Sequence, residues 1–319
     1  MRRLAVLCAF FLIFSAIEAK AEDGYVFLLK GRGNPYWTAM AEGIKDTAKE
    51  KGITPSIYFT ETDRAAEEDL NTCMTMIQTK PKIIVMAATT PNIAIQCFKQ
   101  ATKEKIVVAD IDANISIADA RKAGVKMAFS VGSDNFLIGQ NAAEYAKKTV
   151  AKHDPSVFVL EGAVGNIAGK KRADGFTSKL KEIMPAAKIV GSVSAEWDRL
   201  KALNTVTDLL QRQPNLDIIY AANDTMALGA VEAVCNAGKA QQIKIIGVDG
   251  TIDARKAVMN GRLTATVAQL PYLMGKRAVE LALESAQGDV TEKMEIMQTP
   301  ILTKEMLVSN KDPMLKYVR

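Results

Sequence analysis

The chain has 319 residues, 48% of them hydrophobic and 24% charged, with a formal net charge of +5. That is enough apolar material for two ordinary domains with packed cores, and too mild a positive balance for a nucleic-acid binder, since no stripe of Lys and Arg with interleaved aromatics is present. One histidine, His153, and four cysteines whose spacings fit no zinc or Cys-x-x-Cys motif exclude most metal sites and any catalysis by paired imidazoles.

Residues 1–21 read as an export leader. Arg2 and Arg3 form a positive start, residues 4–17 are apolar, and Ala19-Lys20-Ala21 offers a small-x-small cleavage site. The apolar run is short for a bilayer span, and Cys8 lies inside it instead of following a lipid-attachment motif. From residue 25 on, strand-like runs alternate with amphipathic helical stretches. Strands are expected at 25–30, 54–59, 82–87, 106–111, 127–131, 156–160, 188–193, 218–221, 244–248 and 264–268, with helices such as 37–51, 65–78, 138–151, 200–211 and 225–237 between them. Several strand runs are apolar at every position, as strands covered on both faces by helices must be. This alternation predicts an α/β fold of parallel sheets with right-handed crossovers. Ten strands exceed one doubly wound sheet, and the series divides near 132–135, so two similar lobes are expected. No flexible linker separates them, which suits hinge closure on a ligand.

Two glycine-bearing fragments look like phosphate motifs and fail on chemistry. Gly31-x-Gly33 has Tyr36 where a dinucleotide fingerprint needs Gly or Ala, and Asn34-Pro35 reads instead as a helix cap with proline in the first turn. The stretch from Gly165 to Lys170 has Val164 in place of the first P-loop glycine and Lys171 in place of the hydroxyl that would hold magnesium. No Gly-x-Ser-x-Gly elbow exists, so nucleophilic catalysis has no visible machinery. Cys73 and Cys97 fall on successive expected helices, where a disulfide and two buried thiols are both open readings.

In open α/β sheets ligands bind beyond the carboxyl ends of the strands. The polar residues in those places are Lys30 and Asn34, Asp110 and Asp112, Asn166 and Arg172, Glu196 and Trp197, Asn223 and Asp224, Asp249, and Gln269. Carboxylates, amides and guanidinium groups of this kind can each hold neighbouring hydroxyls, and Tyr36, Trp37 and Trp197 can cover C–H faces. Together they suit a neutral polyhydroxylated ligand. Singly, each has a plainer role: Asn34 and Asn223 as helix caps, Asp112 and Asp249 as turn residues, Trp197 as core.

The chain resembles the periplasmic sugar-binding proteins of ABC transporters, in the ribose/allose/galactose group and nearest its allose-binding members. The likeness runs over essentially the whole chain after the leader. It is carried by Asn34-Pro-Tyr-Trp37, Glu161-Gly-x-x-Gly-Asn166, Glu196-Trp-Asp-Arg-x-Lys-Ala-Leu203, Ala222-Asn-Asp-Thr-Met-Ala-Leu-Gly229, Val248-Asp-Gly250 and Ala265-Thr-Val-Ala-Gln-Leu-Pro271. It implies sugar contacts at Lys30, Asn34, Asp112, Arg172, Asn223, Asp249 and Gln269, and stacking rings at Tyr36, Trp37 and Trp197. Asn166, from the positional list, completes the expected site. The resemblance further implies a type I fold of two doubly wound parallel-sheet lobes, 22–133 plus 270–299 and 134–269 plus 300–319, joined by a three-segment hinge near Ser133-Asp134, Gln269-Leu270 and Thr299-Pro300.

One position departs from the family: where the ribose and allose proteins carry a charge after the Asp112 position, this chain has Ala113. Lys30 favours an allose-like over a ribose-like ligand. The implied function is that of a monomeric periplasmic receptor without metal, cofactor or catalytic residues, binding a D-allose-like or D-ribose-like monosaccharide for a membrane permease. The alternative is a polyol-binding protein, or one that presents a sugar to a chemoreceptor or sensor kinase. No nucleic-acid partner is expected.

Overall fold

The computed structural model describes residues 23–319, except 113–114, 289–291, 312–313 and 316–319. The expected leader and Ala113 lie outside the described residues. In chain order the first half runs β1 (Tyr25–Leu29), α1 (Pro35–Lys51), β2 (Ser56–Phe59), α2 (Ala66–Gln78), β3 (Ile83–Met86), α3 (Pro91–Lys103), β4 (Val107–Ile111), α4 (Ile117–Lys122) and β5 (Phe129–Ser133). The pattern then repeats as α5 (Asn135–Thr149), β6 (Ser156–Glu161), α6 (Ile167–Ile183), β7 (Lys188–Ser194), α7 (Arg199–Arg212), β8 (Ile218–Ala221), α8 (Asp224–Asn236), β9 (Lys244–Asp249), α9 (Ile252–Met259) and β10 (Ala265–Ala268). The chain closes with α10 (Pro271–Ala286), β11 (Lys293–Met297), β12 (Ile301–Leu302) and α11 (Lys304–Ser309).

These strands form two six-stranded sheets, ordered β11-β5-β4-β3-β1-β2 and β12-β10-β9-β8-β6-β7. All pairings are parallel except the antiparallel β10–β12 contact. The two orders match strand for strand, so each lobe has its own switch point beside its first strand, where an open α/β sheet leaves a crevice.

The unbroken apolar strands are explained by helices on both faces. In β1 and β3, Phe27, Leu29, Ile83 and Val85 face α1 and α10, while Val26, Leu28, Ile84 and Met86 face α2 and α3. The second sheet repeats this, with Phe158, Leu160 and Ile219 toward α7 and α8 and Val157, Val159 and Tyr220 toward α5 and α6. Each large side chain so buried contributes about 1.5–3 kcal/mol. Helix α6 lies almost backbone to backbone on α5: a Cβ at Gly139 would stand 2.1 Å from the Arg172 carbonyl, and one at Gly175 2.1 Å from that of Phe136. This contact fixes the helix that carries Arg172. The structure pairs Cys73 on α2 with Cys97 on α3 in a buried disulfide, and leaves Cys235 as an exposed free thiol.

Two strands escape the sequence pattern. β11, Lys-Met-Glu-Ile-Met, is an edge strand with mostly exposed or half-buried residues, and β12 is only two residues long. Neither presents a continuous apolar run of the kind that marks β1, β3 and β8.

Candidate ligand-binding site

The carboxyl ends of the two sheets face one cavity, which encloses about 380 Å³ free of protein atoms, open solvent at its mouth included. All eleven residues expected from the sequence line it, joined by Asp63 and Ala168. Both lobes contribute to its walls.

The first lobe supplies the edge that follows β1. Lys30 is buried; its Nζ donates to the Ala88 carbonyl at 3.3 Å, stands 3.6 Å from Asp112 Oδ2 and lies 4.7 Å from the Trp37 ring centroid. Asn34 caps α1, its Oδ1 accepting from the Tyr36 amide at 3.0 Å, and Pro35 sets the first turn. The Tyr36 and Trp37 rings meet edge to face, with centroids 4.8 Å apart. The Tyr36 hydroxyl donates to Asp112 Oδ1 at 2.6 Å. Burial, and then the charge of Asp112, push its pKa well above the usual phenol value, so it stays a neutral donor.

The second lobe answers with a matching pair. Arg172, buried on α6, donates through Nε to Asn135 Oδ1 at 2.8 Å and through Nη1 to the Ala222 carbonyl at 2.8 Å, and reaches Asp249 Oδ1 at 3.4 Å. Gln269 Nε2 donates to the same Asp249 oxygen at 2.7 Å. Asn223 caps α8 through Oδ1, leaving its Nδ2 without a protein partner among the described residues. Asn166 caps α6 and also crosses the cleft, its Nδ2 donating to the Thr89 carbonyl of the first lobe at 3.5 Å. Thr89 is held in place by buried Asp69, which accepts from both its amide, at 2.6 Å, and its hydroxyl.

Backbone geometry is unusual where the carboxylates sit. Asp112, just after β4, has φ +82°, and Asp249, at the end of β9, has φ +118°. Left-handed conformations cost non-glycine residues of order 1–3 kcal/mol and persist where the surrounding structure demands them. Glu196 and Trp197 also have positive φ, +56° and +61°. That turn lays the indole over Gly162 and Gly169: a Cβ at Gly162 would stand 2.1 Å from Trp197 Cζ2. Asp249 is buried, and desolvation raises its pKa well above the ordinary carboxylate value although Arg172 and Gln269 pull it down. Asp224, buried behind it, is raised by desolvation and by the charge of Asp249.

Three members of the strand-end list lie off the cavity. Asp110 accepts from Ser130 Oγ at 2.8 Å inside the first sheet. Asp224 binds the amide and hydroxyl of Thr251 and the hydroxyl of Thr266. Glu196 accepts from Ser194 Oγ at 2.8 Å on the rim. Conversely, Asp63 was not on the list. It follows β2 in the polar segment Thr60-Glu-Thr-Asp63, and the strand-end rule applied to that strand would have found it.

A family model described as a periplasmic binding protein domain matches residues 25–289. The chain is 34% identical over 271 residues to the D-allose-binding periplasmic protein of Escherichia coli K12, covering 85% of this chain and 87% of that protein. It is 29% identical over 309 residues to the ribose import binding protein of Salmonella typhimurium LT2, covering 96% and 99%. Among solved structures it resembles an ABC transporter solute-binding protein of Actinobacillus succinogenes with bound D-allose, with a TM-score of 0.83, 32% identity and coverage of 89% and 99%.

Proposed function

The chain belongs to the periplasmic binding protein domain family, and from that premise we propose that it is the solute receptor of an ABC importer, closing on one monosaccharide and handing it to a membrane permease. The observation that carries this reading is the cavity between the lobes, lined by hydroxyl-matching groups and flat rings from both sides. The inventory suits a neutral sugar. Lys30 beside Asp112 and Arg172 beside Asp249 provide charge-assisted donors and acceptors, each such bond worth about 1.5–3 kcal/mol. Tyr36, Trp37 and Trp197 offer surfaces for the ring C–H faces.

Of the lining residues, the eleven expected from the sequence are ligand contacts, and the ligand is an allose-like monosaccharide. The first lobe comprises 22–133 plus 270–299 and the second 134–269 plus 300–319. Closure pivots on the crossings near Ser133-Asp134, Gln269-Leu270 and Thr299-Pro300, and it is driven by contacts that form only when both lobes meet the ligand. The protein performs no catalytic step. It works in the periplasm, where a Cys73–Cys97 disulfide is maintained, and it is exported by the leader in residues 1–21.

A thermal-shift screen over D-allose, D-ribose, other aldoses and ketoses, and C4–C6 polyols tests the reading. Melting should rise by several degrees with D-allose or a close aldose. A chain that melts at one temperature with every compound is not a sugar receptor.

A further inference from the structure

Three carboxylates line the cavity, and two of them face a cation of their own lobe: Asp112 faces Lys30, and Asp249 faces Arg172. The third, Asp63, has no ion-pair partner among the described residues. Its two hydrogen bonds both come from neutral donors, Trp37 Nε1 to Oδ1 and Asn34 Nδ2 to Oδ2 at 2.8 Å. The backbone is shaped to admit it. Gly31 adopts φ +42°, and a Cβ there would stand 2.4 Å from Asp63 Oδ1. Asp63 thus ties together the turn after β1, the cap of α1 and the indole that faces the ligand.

A carboxylate accepts about four hydrogen bonds, and Asp63 receives two. The remaining lone pairs belong to a half-buried, uncancelled negative charge on the cavity wall. Asp63 also borders a second hollow at the rim, shared with Asn34 and Trp197 and reaching Arg64 on one lobe and Asp198 on the other. It therefore stands at the mouth of the cleft, while Asp112, Asp249 and Gln269 are deeply buried.

We propose that Asp63 is a direct ligand contact and a specificity determinant of this site, accepting a hydrogen bond from the one ligand hydroxyl that faces the mouth of the cleft. This rests on the monosaccharide reading above. A sugar without a donor at that position leaves the carboxylate unsatisfied in the closed cleft and is discriminated against. The Asp63 charge selects hydroxyl or other donor groups there and opposes carboxylates and phosphates.

The test is a titration matrix of wild type and Asp63→Asn against D-allose and its monodeoxy analogues. The variant should weaken D-allose roughly tenfold to hundredfold, matching one charge-assisted hydrogen bond. For the analogue lacking the hydroxyl at the mouth the two proteins should bind alike, while the penalty persists for the other analogues. Asp63→Asn also disturbs Trp37 and Asn34, so a penalty equal for D-allose and every analogue assigns Asp63 to positioning alone and overturns the proposal. An Asp63→Asn variant that binds D-allose within twofold of wild type overturns it as well, with the sugar function intact. A wild type that binds neither D-allose nor its analogues removes the monosaccharide reading and this assignment with it.

Discussion

Asp112 and Asp249 occupy matching places, each at the end of the fourth strand of its sheet and each with positive φ. Each is set beside a basic side chain, and burial raises Asp249 far above the ordinary carboxylate pKa of about 3.9. This makes pH act in opposite directions on the empty and the loaded protein. Between the ordinary value and the raised one, the folded state binds more protons than the unfolded state, so Asp249 and Asp224 add stability as pH falls. Protonation also removes the acceptor that Asp249 offers to Arg172 and to ligand hydroxyls, so affinity falls over the same range. Melting of the ligand-free protein should rise from about pH 8 to about pH 5, with Asp224→Asn flattening the slope, while D-allose binding weakens. A ligand-free melting point that drops steadily over that range, with Asp224→Asn unchanged from wild type, would contradict the assignment. At this scale the sequence was most informative where a polar residue closely follows an apolar strand, as Lys30 follows β1 and Asn223 comes one alanine after β8. The strand-end rule applied to β2 reaches Asp63; what the sequence does not show is its partners 26 and 29 residues away, Trp37 and Asn34, and the space left by Gly31.

Helix starts and glycines place the larger pieces. α1, α6 and α8 each begin with an asparagine whose amide oxygen caps the helix while the residue faces the cavity. One residue thus serves as helix cap and as cavity wall, so the plain reading of Asn34 or Asn223 as a cap holds and leaves its proposed ligand contact open. Gly162 and Gly169 form the bed of Trp197, and Gly162→Ala would drive a methyl group into the indole. The variant should fold, shift the tryptophan fluorescence and weaken D-allose by at least tenfold. Unaltered emission and affinity would mean that the indole is not held by this bed. Elements were legible where burial on both faces forces a continuous apolar run, as in β1 and β3. β11 and β12 lack that signature because an edge strand and a two-residue strand have less to bury.

The whole molecule is one sheet plan used twice, with the cavity where the two sets of strand ends meet. Alternation of strand and helix makes that plan readable in the sequence, and two similar lobes follow from the number of strands. The closing of one lobe on the other was beyond periodicity, since it depends on contacts such as Asn166 to Thr89 and Tyr36 to Gln269 that join distant parts of the chain. Those contacts also set the expected energetics. A ligand that bridges both lobes should bind at about micromolar affinity or tighter, near −8 kcal/mol or beyond. Isothermal titration of wild type and Arg172→Ala with D-allose tests this most directly. The account predicts one site per chain with a micromolar or lower Kd in wild type. In Arg172→Ala the heat should vanish, because the loss strips the ligand of its donor and leaves Asp249 buried without its cation. Equal binding by both proteins, or no heat from wild type with D-allose and its close aldoses, would contradict it.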